Sequence, residues 1–568
     1  MLNRVYRAKW ALSKKIIIEV FHVLIALGIV LAYLYAISLF KPEYVILLRG
    51  VVWSRVYSID LTYETLILLA VALAVSVCVY AIDGFRAVKL AKVSVYVLAI
   101  LTVVCGLPLA YWIAYIWNPQ FSQDHSLIRL SELDAGIFHI YAPAYPILLL
   151  TMLYAWLLLI IGRAFKGYAR LKIRCSKTLN TAYECNPLDN VLMRRLGLIS
   201  ILLLSMILPI IPYLPSINPE FKPVSVDIRY YSNWLGKMLA TDDWCTVEYV
   251  FHGINNGNRP LYLLMLYFLS SIGMPRDVVL NFEALLIAPL FALAIYYAAK
   301  RLSGNSQYAF LSSLAAVLGF NMTVGIMTGY FAMWAALTLF YLCVASTPGL
   351  ECRSPRSLAI ALMVSIMMLY VHPWTWVLLM SVLTVQLVIS TVESLRWGKI
   401  KLDKYLLTVL IGNVLADIVK TSTSPSYGGL ASSVSILGNG RLFGLEPLIG
   451  LPRSLQRLTV SYVAGLFYNP LHMLLAFIGM LSLLSRCNDT SRLIIIWVVL
   501  ISLIFPFSDI NLQSHLLFAT PFPVLIAEGL WTLSKSLNGL DPKLPKLLTA
   551  LFLSSSLTYA VRALCNLL

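Results

Sequence analysis

Uninterrupted apolar runs of roughly 20 residues recur along this chain, each long enough to cross a ~30 Å hydrocarbon core as a helix. In lipid every backbone N–H and C=O must be satisfied within the protein, so such runs fold as helices. The short alternating strands of a transmembrane barrel are absent. Composition agrees: of 568 residues 60% are hydrophobic and 12% charged, with a mean hydropathy of +0.82, too few polar groups to cover a water-facing surface. The expected fold class is an all-α polytopic membrane protein. The first run, residues 16–40, is too long for a cleavable signal and has no small-residue cleavage site.

The formal net charge is +17. The basic residues lie in loops between apolar runs, where they orient the chain and meet anionic lipid headgroups, so membrane lipids and not nucleic acid are the implied partners. The nine cysteines form no CxxC pair. Cys175 and Cys185 share a basic loop expected in the cytoplasm, where a disulfide would not persist.

Basic loops inside give the topology. Arg4, Arg7, Lys9, Lys14 and Lys15 place the N-terminus in the cytoplasm, and the loop 163–195, rich in Arg and Lys, is the clearest boundary. It separates an accessory module of four helices, residues 1–165, from a core at 196–568, with 166–195 as the cytoplasmic connector. The stretch 260–272 is short for a span. Laid along the outer interface, it lets the helix ending in Lys300 and Arg301 run inward. Every later basic loop then falls inside, for about 15 spans in total.

That arrangement puts two long loops outside, 215–259 and 420–459. The turn 325–329, the turn at His372-Pro373-Trp374 and the segment 508–515 join them, so acidic, basic and imidazole side chains gather on one face. The most polar of these stretches is 226–260. It carries Asp227, Arg229, Tyr230, Tyr231, the pair Asp242-Asp243, and Arg259-Pro260-Leu261. Arg453 and Arg457 in the 420–459 loop, and Asp509 and His515 in 508–515, face the same side.

Asp227 close to a Tyr pair, an Arg-Pro-Leu run heading an apolar helix, the Y-Y-A-A-K-R-L of 296–302 and the S-H-L-L-F-A-T-P-F-P-V-L beginning at Ser514 resemble the GT-C superfamily of polytopic glycosyltransferases, of the protein mannosyltransferase and aminoarabinose transferase type. The resemblance covers about residues 196–535. It departs at Asp227-Ile228, where relatives show Asp-Glu, at Arg259-Pro260, where they show Pro-Pro, and at the first four spans. It implies a GT-C-like core that moves a sugar from a polyprenyl-phosphate donor to an acceptor on the extracytoplasmic face.

An acceptor hydroxyl is a weak acid and needs a positioned base, here Asp227. The departing phosphate gains charge and needs cations, here drawn from Arg259, Arg453 and Arg457, with Arg229 a further residue of the substrate site. Tyr230, Tyr231, His372 and His515 complete the expected substrate site. Asp242 and Asp243 are a candidate pair for a divalent cation.

Plainer roles compete. Asp227 would pair with Arg229 or Lys237, Asp242-Asp243 would cap a helix before Trp244, and His372 would serve a turn shaped by Pro373. Glu283 and Asp417 lie in or near spans, where a charge costs ~3 kcal/mol or more, so each should face an interior. Asn321-Met322-Thr323 fits a glycosylation pattern close to the membrane. A transporter or a non-catalytic assembly subunit is the alternative function.

Overall fold

The computed structural model describes residues 87–118, 145–157, 191–241, 243–253, 257–347, 354–396, 402–423, 469–485 and 489–565, with single positions between 450 and 458. The described residues are helical, with no strand. In chain order the helices are α1 (Ala87–Trp117), α2 (Tyr145–Leu153), α3 (Val191–Ile207), α4 (Ile228–Leu239), α5 (Asp243–His252), α6 (Pro260–Ser271), α7 (Arg276–Asn281), α8 (Glu283–Ser303), α9 (Ser306–Val317), α10 (Phe320–Thr328), α11 (Phe331–Ser346), α12 (Pro355–Val371), α13 (Pro373–Arg396), α14 (Lys404–Thr423), α15 (Pro470–Leu484), α16 (Asp489–Ile504), α17 (Ile510–Ala519), α18 (Phe522–Asn538) and α19 (Leu544–Cys565).

Seven described helical stretches are long and apolar enough to cross a membrane, or eight if the bent pair α17–α18 is one span. This does not reach the expected count of about 15. The expected spans near 16–40 and 64–82 lie outside the described residues. Several other apolar runs form helices of at most 17 residues: α6, α11, α12, and the apolar parts of α15 and α16. At 1.5 Å per residue the 12-residue α6 is about 18 Å long, short of a full crossing, as its sequence suggested.

Local chemistry sets the breaks. The side chain of Asn305 accepts from the amides of Gln307 and Tyr308 and starts α9, and Gly304 in the left-handed region ends α8. Ser354 and Ser357 form a capping box for α12. The run 516–533, expected as one span, is bent by 52° between α17 and α18, where Thr520-Pro521 interrupts it.

Helices α15 and α18 approach each other backbone to backbone. A Cβ on Gly479 would stand 1.9 Å from the Leu525 carbonyl oxygen, and one on Gly529 1.9 Å from that of Leu475. Glycine at the contact lets the two backbones meet. α8 packs on α9 and α11, α11 on α12, and α12 on α13 and α14. Asn413 of α14 joins three of these helices, accepting from Trp376 Nε1 at 2.8 Å and donating to Ser365 Oγ at 2.7 Å. The described parts of the first 165 residues lie against the C-terminal helices: Thr558 donates to the Cys105 carbonyl at 2.7 Å, and Tyr154 to that of Ser502 at 2.7 Å.

Candidate functional site

Asp227 is placed by the end of another helix. The last carbonyls of α10 have no partner within that helix. Ser225 Oγ donates to Ile326 O, Val226 N–H to Met327 O at 2.8 Å, and Asp227 N–H to Thr328 O at 3.1 Å. Gly329, at φ +75°, ends α10 there. The stretch 325–329, expected as a turn, is therefore the last turn of a helix with only Gly329 reversing the chain.

Asp227 precedes α4, yet its side chain makes no capping hydrogen bond. Among the described residues no ion pair holds it, so the expected bridge to Arg229 or Lys237 is not formed. The carboxyl is half-buried. Burial raises its pKa above the ordinary 3.8, against the opposing pull of Arg259 and then Arg229.

Arg259 stands just before α6. Its Nη1 donates to the Tyr231 hydroxyl at 2.6 Å, and its Nε is enclosed with no partner among the described residues. Tyr231, on the inner face of α4, is buried. Burial first raises the pKa of its phenol, with Arg259 opposing. Its ring meets that of Tyr262 edge-on at 5.7 Å, and the Tyr262 hydroxyl donates to Glu283 Oε2. Glu283 and Asp417 are 2% and 4% exposed, so both face the interior as their cost in lipid requires.

His372 lies in the turn between α12 and α13. Its Nδ1 accepts from the Thr375 amide at 3.3 Å, so it caps α13, the plainer role. Burial pushes its pKa well below the usual range, and the positive charge of Arg259 adds to the shift. Lys420 was expected to open the loop 420–459. It is instead buried in α14, which runs on to Thr423, and its Nζ donates to the Leu369 carbonyl at 3.1 Å.

The segment 508–515 is not a loop. Asp509 accepts from the Leu512 amide at 2.8 Å and starts α17, which carries His515. The His515 ring stacks on Tyr330 at 4.4 Å.

Topology brings these groups together. Tyr330 begins α11, and His372 ends α12, which packs against it. Lys420 reaches the last turn of α12, α6 packs on α12, and Asp227 sits beside Gly329. Asp227, Tyr231, Arg259, His372 and His515 thus share one end of the bundle, although they are distant in sequence.

Arg229 and Tyr230 are exposed. Arg229 Nη2 donates to the Tyr230 hydroxyl at 3.1 Å, with its guanidinium 4.9 Å from that ring, as an exposed pair. Arg453, Arg457 and Asp242 lie outside the described residues. Asp243 begins α5. No group of three His, Cys, Asp or Glu suited to a metal occurs among the described residues. Asn321 is 2% exposed and donates to the Phe518 carbonyl, so its glycosylation pattern is enclosed.

Sequence reasoning missed Tyr262, Lys420 and Gly329 as parts of the site. The signal for Tyr262 is its place three residues after Arg259, near the start of an apolar helix. For Gly329 it is a lone glycine between apolar runs.

No protein-family model matches the chain, and no curated protein is similar to it.

Proposed function

We propose that this protein is a membrane glycosyltransferase of the GT-C kind, moving a sugar from a polyprenyl-phosphate donor to an acceptor hydroxyl at the bundle end that carries Asp227. That end is extracytoplasmic and the N-terminus cytoplasmic, in keeping with the basic connectors. The observation that carries the reading is the pair Asp227 and Arg259: a half-buried carboxylate that no ion pair holds among the described residues, within electrostatic reach of the Arg259 guanidinium.

A base and an anion ligand are thereby available together. The acceptor oxygen attacks the anomeric carbon as its proton passes to Asp227. The bond from that carbon to the phosphate oxygen breaks, and the electron pair leaves with the lipid phosphate. The Arg259 guanidinium, held in place through Tyr231, meets that charge as it grows. The exposed apolar side chains Met265 and Phe268 of α6, with Ile272 just after it, offer a surface for the isoprenoid tail.

The test is a membrane assay with radiolabelled polyprenyl-phosphate sugars, comparing wild type with Asp227→Asn. Transfer should fall by ~10²–10⁴-fold per folded molecule with donor binding kept. Near-normal specific activity removes Asp227 from the mechanism. Arg259→Ala should weaken donor binding by ~1.5 kcal/mol. If it does not, and Arg453→Ala or Arg457→Ala does, the phosphate sits on the later loop.

A further inference from the structure

The two histidines at this end of the bundle carry opposite tautomers, and the backbone dictates both. A backbone N–H can only donate. The Thr375 amide donates to His372 Nδ1 at 3.3 Å, and the Thr375 hydroxyl lies 2.8 Å from the same nitrogen. Nδ1 therefore holds the lone pair, and the proton of neutral His372 is on Nε2. A carbonyl can only accept. His515 Nδ1 lies 2.8 Å from the Asn511 carbonyl oxygen, so Nδ1 carries the proton and Nε2 keeps its lone pair. Among the described residues neither Nε2 takes part in a hydrogen bond. Both rings are held: His372 is 4% exposed, and His515 is stacked on Tyr330, whose hydroxyl is 2.9 Å from Ser514 Oγ.

Neutral His372 is thus a donor at its open nitrogen, and neutral His515 an acceptor. A phosphate oxygen at His515 would meet a lone pair. A hydroxyl group satisfies both, because it accepts and donates. We infer that His372 and His515 bind the hydroxyl groups of a neutral sugar ring, His372 Nε2–H donating to one hydroxyl oxygen and His515 Nε2 accepting a hydroxyl hydrogen, while the anion falls to Arg259. This rests on the sugar-transfer reading and adds which part of the donor lies where. Discrimination follows, since a site built to hydrogen-bond a hydroxyl rejects the deoxy analogue, which leaves a buried group unpaired.

The test is ¹⁵N solid-state NMR of the full-length protein in lipid vesicles with ¹⁵N-labelled histidine, assigned with His372→Gln and His515→Gln. The expected spectrum has a lone-pair Nδ1 signal that disappears in His372→Gln and a lone-pair Nε2 signal that disappears in His515→Gln. Methyl glycosides of the gluco, manno, galacto and arabino series are the probes, with inorganic phosphate as the contrasting anion. At least one glycoside should shift the His515 Nε2 signal and phosphate should not. The same tautomer at both positions, a doubly protonated His515 at neutral pH, a shift with phosphate but no glycoside, or no shift with any probe overturns the assignment.

None of these readouts needs transfer activity, so they stand apart from failure of the glycosyltransferase reading. Where transfer is measurable, His515→Phe keeps the ring stack but loses the acceptor and should raise the KM for the lipid-linked sugar about tenfold. A parallel loss of kcat alone speaks against a binding role.

Discussion

Gly329 lies against Asp227: a Cβ on Gly329 would stand 3.1 Å from the Asp227 Cβ and 3.2 Å from its backbone nitrogen. A side chain at the helix end that fixes the carboxylate would therefore press on Asp227, which would have to shift by a few tenths of an ångström. Gly329→Ala should cost ~1–2 kcal/mol for its left-handed backbone and also displace Asp227. Gly304→Ala is the control, since Gly304 has φ +68° but nothing within 4 Å. Both variants should lose thermal stability, while only Gly329→Ala should lose transfer activity per folded molecule. Equal activity in the two variants counts against the placement of Asp227.

The pH profile follows from the sign of the Asp227 shift. Its pKa is raised by burial, and a general base works only when deprotonated. Rate therefore falls as pH drops through a value above the ordinary 3.8. The positive charge of Arg259 opposes the rise, so Arg259→Gln should move the acid limb of kcat/KM to still higher pH. A limb unmoved in Arg259→Gln, or one that persists in Asp227→Asn, assigns it to another group.

At the crossing of α15 and α18, Gly529→Ala would place a methyl group against the Leu475 carbonyl oxygen. Backbone cannot yield as a flexible side chain does, so a loss of about 2–3 kcal/mol is expected. Thermal unfolding in detergent measures it, and an unchanged midpoint would show that the helices separate without cost.

Asn413→Leu removes the partner of both Trp376 Nε1 and Ser365 Oγ at the meeting of α12, α13 and α14. The expected loss is ~1–2 kcal/mol, within the range for interhelical hydrogen bonds in bilayers. The same unfolding experiment applies, with wild-type stability as the contrary result.

Sidedness is checked by labelling single cysteines placed at Ser232 and Ser354 in a cysteine-free background. Ser232 should react from the extracytoplasmic side and Ser354 from the cytoplasmic side, as the basic connectors require. Reaction of both from one side removes the topology and the proposed reaction together.

Helical class was legible in the chain because lipid leaves a span little choice: the backbone must bond to itself, so apolar length is nearly a direct record of a helix. α12 and α14 fall where apolar runs predict them, and the interior-facing Glu283 follows from the cost of a charge in lipid. Hydropathy does not register a backbone break within an apolar run, so 516–533 read as one helix although Pro521 divides it. A polar helix start resembles a loop, so 508–515 read as one although Asp509 caps α17.

Asp227, Arg259, His372 and His515 were visible as polar residues between apolar runs. Their meeting was not, because it is set by contacts that sequence spacing does not encode. Ser225 reaches α10 across 101 positions, and Arg259 finds Tyr231 across 28. Packing alone decides which side chains share a space, which nitrogen of each histidine carries the proton, and why a side chain at Gly329 would crowd Asp227.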